Sequence, residues 1–204
     1  MSRNCRIAVF ASGNGSNFQA LLDASREGRL GGGEIVLLVC DKSQAFVVER
    51  ARKAEVETYL FQPKDYARRE DYEAEIAGRL AELEVDLVVL AGYMRLLTPV
   101  LVGPYAGRML NIHPSLLPSF PGKDAIGQAW NYGVKVTGVT VHFVDEGMDT
   151  GTIVAQESIE VLPGEDVDSL TDRIHQVEQS LYPRIVRQFA EGKLKVNGRR
   201  VELG

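Results

Sequence analysis

The chain has 204 residues, a formal net charge of -5 and a pI near 5.3, with 45% hydrophobic and 25% charged residues. That is enough chain to bury a substantial core, and its acidic balance excludes the basic face that a nucleic-acid binder presents. The apolar run after Arg6 is too short for a signal segment or a membrane span, which leads us to expect a cytoplasmic protein. Cys5 and Cys40 make neither a disulfide framework nor a paired zinc motif, and read as small hydrophobes beside apolar runs.

Residues 6–11 form a short apolar run that ends in Ser12-Gly13-Asn14-Gly15-Ser16-Asn17, after which Phe18, Leu21 and Leu22 recur at helical spacing up to Gly28. In such a strand, glycine loop and helix, the loop amides and the helix N-terminus make an anion site; the alternative is a tight turn capped by Ser16 or Asn17. No Lys-Ser/Thr pair follows, so this is not a P-loop, and Phe18 stands where a dinucleotide fingerprint needs its third glycine. A small phosphomonoester suits it better than a pyrophosphate. A second strand over 34–40 leads to Ser43, placed to cap a helix whose stripe is Phe46, Val47 and Ala51, and a third short strand spans 58–61.

Tyr72, Ile76, Leu80 and Leu83 mark an amphipathic helix within 65–84, with Arg68 and Arg69 near its start either solvated or free to reach an anion. Residues 86–91 are continuously apolar after Asp86, the mark of a strand buried on both faces. The stretch 92–99 then leaves the sheet carrying Tyr93, Met94, Arg95, Leu96 and Leu97, as a pocket wall for an aromatic ring or as a hydrophobic connector.

The stretch 110–118 places Asn111 and His113 two residues apart, on one side of an extended chain, and Pro114 keeps His113 out of helical geometry. A loop over 119–124 precedes a short helix with Gln128, Ala129 and Trp130, and 137–144 alternates as a strand whose mid-strand His142 reads as structural. The acidic loop 145–151 fails as a calcium loop, because Gly147 stands where an oxygen ligand is wanted and no glutamate follows at the twelfth position. A carboxylate that orients and charges a histidine suits it better. A strand over 151–159 follows, then a long helix over 166–189 that buries Leu170, Ile174, Val177, Leu181, Ile185 and Phe189 and should kink at Pro183. A terminal hairpin over 194–203 turns at Asn197-Gly198.

The alternation of strands and helices through residue 113 predicts an α/β fold: an open, mostly parallel twisted sheet with helices on both faces and a Rossmann-like N-terminal half. No linker or repeat interrupts residues 1–204, which points to a single domain. Ligands of such sheets bind outside the carboxyl ends of the strands, so the glycine loop, the Tyr93 loop and Asn111 with His113 share one edge. An amide, a histidine and a nearby carboxylate, without a serine or cysteine nucleophile, suit an acyl transfer in which the substrate brings its own nucleophile. Ser115 lies too close to His113 in sequence to form a triad with it.

Four stretches together resemble the phosphoribosylglycinamide formyltransferases, folate-dependent enzymes of purine synthesis: the glycine loop at 12–17, Met94-Arg95-Leu96-Leu97, the Leu-Asn-Ile-His-Pro-Ser-Leu-Leu-Pro run at 110–118, and the Val-His-Phe-Val-Asp-Glu-Gly-Met-Asp-Thr-Gly run at 141–151. The resemblance implies formyl transfer from 10-formyltetrahydrofolate, a co-substrate, to the amine of 5-phosphoribosylglycinamide, without a metal. It implies small-molecule substrates, no nucleic-acid or membrane partner, and a monomer or homodimer. Asn111, His113 and Asp149 would be the catalytic set. Gly15, Ser16 and Asn17 would hold the substrate phosphate, with Glu178 touching the same substrate. Arg69, Met94, Arg95, Leu96, Leu97, Asn111, Val144 and Asp145 would meet the folate. The same likeness divides the chain into a phosphate-binding half, 1–100, and a catalytic and folate-binding half, 101–204. At Lys123-Asp124-Ala125 some relatives carry histidines, so no contact is carried over there. The alternatives are a methionyl-tRNA formyltransferase domain, which needs a further domain and a basic surface, another folate formyltransferase or formyltetrahydrofolate hydrolase, and a non-catalytic phosphoribosyl-ligand-binding domain.

Overall fold

A strand covered on both faces must be apolar without alternation, and β1 (Cys5–Phe10), β2 (Gly33–Cys40) and β4 (Leu87–Leu90) form the parallel centre of the computed structural model, which describes residues 3–204, with β3 (Thr58–Leu60) added in parallel at the edge beside β2. Successive side chains enter two apolar clusters. Ile7, Val9, Leu38, Leu87 and Val89 go to one face, and Ala8, Phe10, Leu37, Val39, Val88 and Leu90 to the other. The first face is covered by α1 (Ser16–Arg26), α2 (Phe46–Lys53), and farther along the chain by α5 (Ala125–Tyr132) and α6 (Val167–Ala190). On the second face lie α3 (Arg69–Glu82), through Tyr72, Ile76 and Leu80, and α4 (Pro99–Val102), through Leu101 and Val102.

With β5 (Met109–His113), β6 (Val136–Phe143) and β7 (Ile153–Glu160), the sheet has seven strands in the order β3-β2-β1-β4-β5-β6-β7. The first five are parallel, whereas β6 runs antiparallel to β5 and β7 antiparallel to β6. Their order is doubly wound: the chain moves outward from β1 through β3, then starts again at β4 on the other side of β1. That switch point opens a crevice at the strands' carboxyl ends. One row of paired residues crosses it, Phe10 beside Leu90, Leu90 beside Asn111, and Asn111 beside His142. A separate hairpin, β8 (Leu194–Asn197) with β9 (Arg200–Leu203), ends the chain.

Several local expectations shift. Ser43 does not cap α2; the helix starts after Ala45, whose backbone is extended and gives no side-chain cap, and Phe46 is 51% exposed, which leaves Val47 and Ala51 as the buried stripe. The helix expected from residue 65 begins at Arg69, because Pro63–Asp65 close a separate 3-10 turn and Arg68 is extended, its N–H held by Asp71 Oδ2 at 3.1 Å. The long helix α6 contains the buried Pro183 within its span, and its N-terminus is capped by Asp166 Oδ1, which accepts from Ser169 N at 2.8 Å. In the hairpin Asn197 pairs with Arg200, which makes Gly198-Arg199 the turn; Gly198 supplies the positive φ of 60°.

Candidate active site

The loops that leave β1 and β4 are tied across the switch point. Ser12 N donates to Gly92 O at 3.1 Å, and Met94 N donates to Ser12 Oγ at 3.1 Å. Gly15 has φ 78°, and a Cβ there would lie 2.5 Å from Val47 Cγ2, so both conformation and packing demand glycine. Gly15 is also the N-cap of α1 and offers no side-chain cap, and neither Ser16 nor Asn17 takes that role. The first amides of α1 therefore keep their partial positive charge for an anion. The glycine loop holds no cation of its own, but Arg50 reaches it from α2: Nε donates to Asn14 O at 2.9 Å, Nη2 to Asn14 Oδ1 at 3.0 Å and Nη1 to Gln19 Oε1 at 3.2 Å. Behind the loop, the buried Asn17 donates through Nδ2 to Glu178 Oε2 of α6 at 3.1 Å. Burial pushes the Glu178 carboxyl up, against that hydrogen bond and nearby His175.

At the end of β5, Asn111 and His113 share a face as their spacing implies, but each already has a partner. Asn111 Nδ2 is 3.1 Å from His142 Nε2, and His142 Nδ1 is 2.8 Å from Phe143 O. A carbonyl only accepts, so His142 carries a proton on Nδ1, and when the ring is neutral its Nε2 accepts from Asn111. By the same reasoning His113, whose Nε2 lies 2.8 Å from Phe120 O, is protonated on Nε2. Its Nδ1 faces Asp149 Oδ2 at 3.5 Å, an ion-pair separation longer than a good hydrogen bond. A proton on Nδ1 would make an imidazolium beside a carboxylate.

Asp149 also accepts from Gly122 N at 2.7 Å, while its Oδ1 lies 3.7 Å from His142 Nε2. Burial pushes its carboxyl up, but His142, the Gly122 amide and His113 together outweigh burial and hold it below the usual carboxylate range. The loop that carries it needs its glycine: a Cβ on Gly151 would fall on the Phe143 carbonyl oxygen. His142, expected to be a mid-strand structural residue, instead sits one residue from the end of β6, between Asn111 and Asp149. The antiparallel register puts it there, and its nearness in sequence to the acidic loop was the available signal. Ser115 is buried and donates to Ser119 O at 2.6 Å, which commits its hydroxyl to the turn after β5.

The 92–98 loop presents Met94 and Leu96 at 64% and 51% exposure, while Leu97 is half-buried and packs with Val144 on the second apolar cluster. Arg95 Nε donates to Asp41 Oδ2 at 2.7 Å, and Arg69 Nη1 to Leu96 O at 3.2 Å. Val144 N donates to Met109 O at 2.9 Å, which sets it beside the start of β5 and away from His113. The Asp145 carboxylate turns into its own loop, where it accepts from Gly147 N at 3.1 Å and Thr150 Oγ1 at 2.7 Å. Among the described residues no group of three or more His, Cys, Asp or Glu is placed to hold a metal ion, and no helix is long and apolar enough to cross a membrane.

The sequence profile of the formyl transferase family matches residues 5–186. The chain is 49% identical over 184 residues to the phosphoribosylglycinamide formyltransferase of Bacillus subtilis, a match that covers 90% of this chain and 94% of that protein. Its fold is similar to the crystal structure of glycinamide ribonucleotide transformylase 1 from Symbiobacterium toebii, with a TM-score of 0.95 and 46% identity over 100% of this chain and 95% of the other. The corresponding structure from Geobacillus kaustophilus gives a TM-score of 0.89 and 53% identity, with 91% of this chain and 98% of that one covered. On these matches the chain belongs to the formyl transferase family and, within it, to the phosphoribosylglycinamide formyltransferases of purine biosynthesis, whose formyl donor is a folate derivative.

Proposed function

We propose that the chain transfers the formyl group of 10-formyltetrahydrofolate to the amine of 5-phosphoribosylglycinamide in the cytoplasm, giving 5-phosphoribosyl-N-formylglycinamide and tetrahydrofolate. The observation that carries this reading is the cluster at the end of β5, where Asn111, His113 and Asp149 stand together and the hydroxyls of the neighbouring Ser115 and Thr140 are spent on the backbone. As the amine attacks the formyl carbon, negative charge grows on the formyl oxygen. Asn111 keeps one amide hydrogen beyond the one given to His142, and His113 brings its Nε2 proton; both stabilise that oxygen. His113 must exchange the Phe120 carbonyl for the formyl oxygen to do so, which requires the ring or the 119–122 turn to shift when substrate enters. Asp149 keeps the imidazole charged through the step. The bond from the formyl carbon to folate N10 then breaks, the attacking amine gives up one proton, and N10 takes one up.

In the same reading the open amides of Gly15, Ser16 and Asn17 hold the substrate phosphate, and Glu178 contacts the same molecule. Met94, Leu96 and Leu97 supply an apolar wall for the pterin, with Arg69, Arg95, Val144 and Asp145 around it. Within one domain, residues 1–100 would carry the phosphate loop and much of the pterin wall, and 101–204 the catalytic trio with Glu178. The test mixes the protein with glycinamide ribonucleotide and 10-formyl-5,8-dideazafolate and follows the deformylated folate by absorbance. Release that depends on the ribonucleotide supports the proposal. Equal release without it would make the chain a hydrolase, and binding of the ribonucleotide without turnover would make it a non-catalytic binding domain.

A further inference from the structure

A carboxylate withdrawn from water needs donors close by. Glu73 lies on α3 among the residues that pack on the sheet, next to Tyr72 and one turn from Ile76, and is 0% exposed. Both of its oxygens are committed to one residue. Thr98 N donates to Oε2 at 3.0 Å and to Oε1 at 3.1 Å, and Thr98 Oγ1 donates to Oε2 at 2.5 Å. Thr98 closes the 92–98 loop and caps α4, with its Oγ1 accepting from Val100 N at 3.3 Å. One turn earlier on α3, Arg69 holds Leu96 O, while at the other end of the loop Ser12 holds Met94 N and Asp41 holds Arg95. The backbone is thus fixed from both ends, and the side chains of Met94 and Leu96 are left facing outward. Capping a four-residue helix needs only the threonine hydroxyl, so a fully buried carboxylate does more than capping requires.

We propose that Glu73 is a positioning residue for the formyl donor: by fixing Thr98 it sets where Leu96 and Leu97 stand against the donor's ring system, and it touches no substrate itself. The inference rests on the reading of 92–98 as the folate-binding loop. The experiment therefore measures turnover and both Michaelis constants for Glu73→Gln, Glu73→Leu and Thr98→Val, with Leu97→Asp as the direct probe of the loop. Glu73→Leu should raise the donor Michaelis constant roughly ten- to hundred-fold, the size of effect that a misplacement of about 1 Å produces, while the acceptor constant stays within about twofold. Glu73→Gln should do less, because its oxygen still accepts while its NH2 opposes the Thr98 N–H, and Thr98→Val should act in the same direction. If Glu73→Leu fails to fold, the isosteric Glu73→Gln and the Thr98→Val variant decide the matter by the same split. Folded variants that move both constants equally, or neither, while Leu97→Asp raises the donor constant, would reduce Glu73 to a structural residue. An unchanged donor constant in Leu97→Asp would remove the loop reading itself, and the proposal with it.

Discussion

Asp149→Asn keeps the size of the side chain and an oxygen for the Gly122 N–H at 2.7 Å, but removes a negative charge lying 3.5 Å from His113 Nδ1 and 3.7 Å from His142 Nε2. The Asp149 side chain is 12% exposed, so the pair is neither in free water nor in a dry interior. With an effective dielectric of about 20, unit charges at that closer separation interact by about 5 kcal/mol. Reorganisation of neighbouring dipoles recovers part of this, which leaves about 3–5 kcal/mol, or roughly two to four orders of magnitude in turnover, with both Michaelis constants little changed. The pH dependence follows from the sign of the shift. A carboxyl held below its ordinary value contributes stability that is complete above about pH 4 and is lost only as pH falls through the folded value, so Asp149 stays anionic across about pH 5.5 to 9. The assay is steady-state kinetics of Asp149→Asn, His113→Ala and the double variant over that range. Since both act on one proton, the double variant should be little worse than the worse single. Fully additive losses, or wild-type turnover in Asp149→Asn, would refute the reasoning.

Arg50→Met removes two hydrogen bonds and the nearby positive charge from the glycine loop, and a third hydrogen bond from Gln19 of α1, and should raise the ribonucleotide Michaelis constant about tenfold, make it less sensitive to salt, and leave the donor constant unchanged; equal changes in both constants would show that α2 merely supports the fold. Tyr182→Phe should cost about 1–3 kcal/mol in a urea titration with unchanged slope, since the buried hydroxyl serves Leu90 O at 2.9 Å and Leu110 O at 3.0 Å; an unshifted midpoint would mean that these carbonyls find other donors.

The parallel strands were legible because Leu87–Leu90 and its neighbours bury both faces and so cannot alternate, and β-α alternation then leaves few topologies. Misreadings came where local chemistry and tertiary packing disagree. Ser43 has the residue type of a cap, yet α2 enters along extended Ala45, and Val47 N donates to Gly13 O at 3.1 Å, so the glycine loop sets the start of that helix. Gly15 announced a turn in sequence, but its packing against Val47 depends on a helix more than thirty residues away. For this reason Gly15→Val would confound phosphate binding with misfolding, and Arg50 is the cleaner probe. Glu73 was invisible for a similar reason, since a carboxylate on a helix usually meets water, and only Thr98, twenty-five residues later, shows otherwise.

The pairing of Asn111 with His113 was written in their spacing, whereas the place of His142 depended on the direction of β6, which no local period encodes. Once that direction is known, a common device emerges around the site. Asp41, Glu73, Asp149 and Glu178 are all buried or nearly so, and each accepts from a loop or helix end that borders the crevice: Arg95, Thr98, Gly122 and Asn17 respectively. A buried carboxylate is costly unless donors stay in place, so each one penalises any drift of the backbone it holds. This reconciles an acidic chain with anionic substrates. Negative charge is withdrawn into the scaffold to fix the loops, while the amides at the start of α1 are left without a side-chain cap, Arg50 lies against the glycine loop and the apolar side chains of Met94 and Leu96 stay exposed. Net charge is therefore a poor guide to what this crevice binds, and the local distribution of donors is the better one.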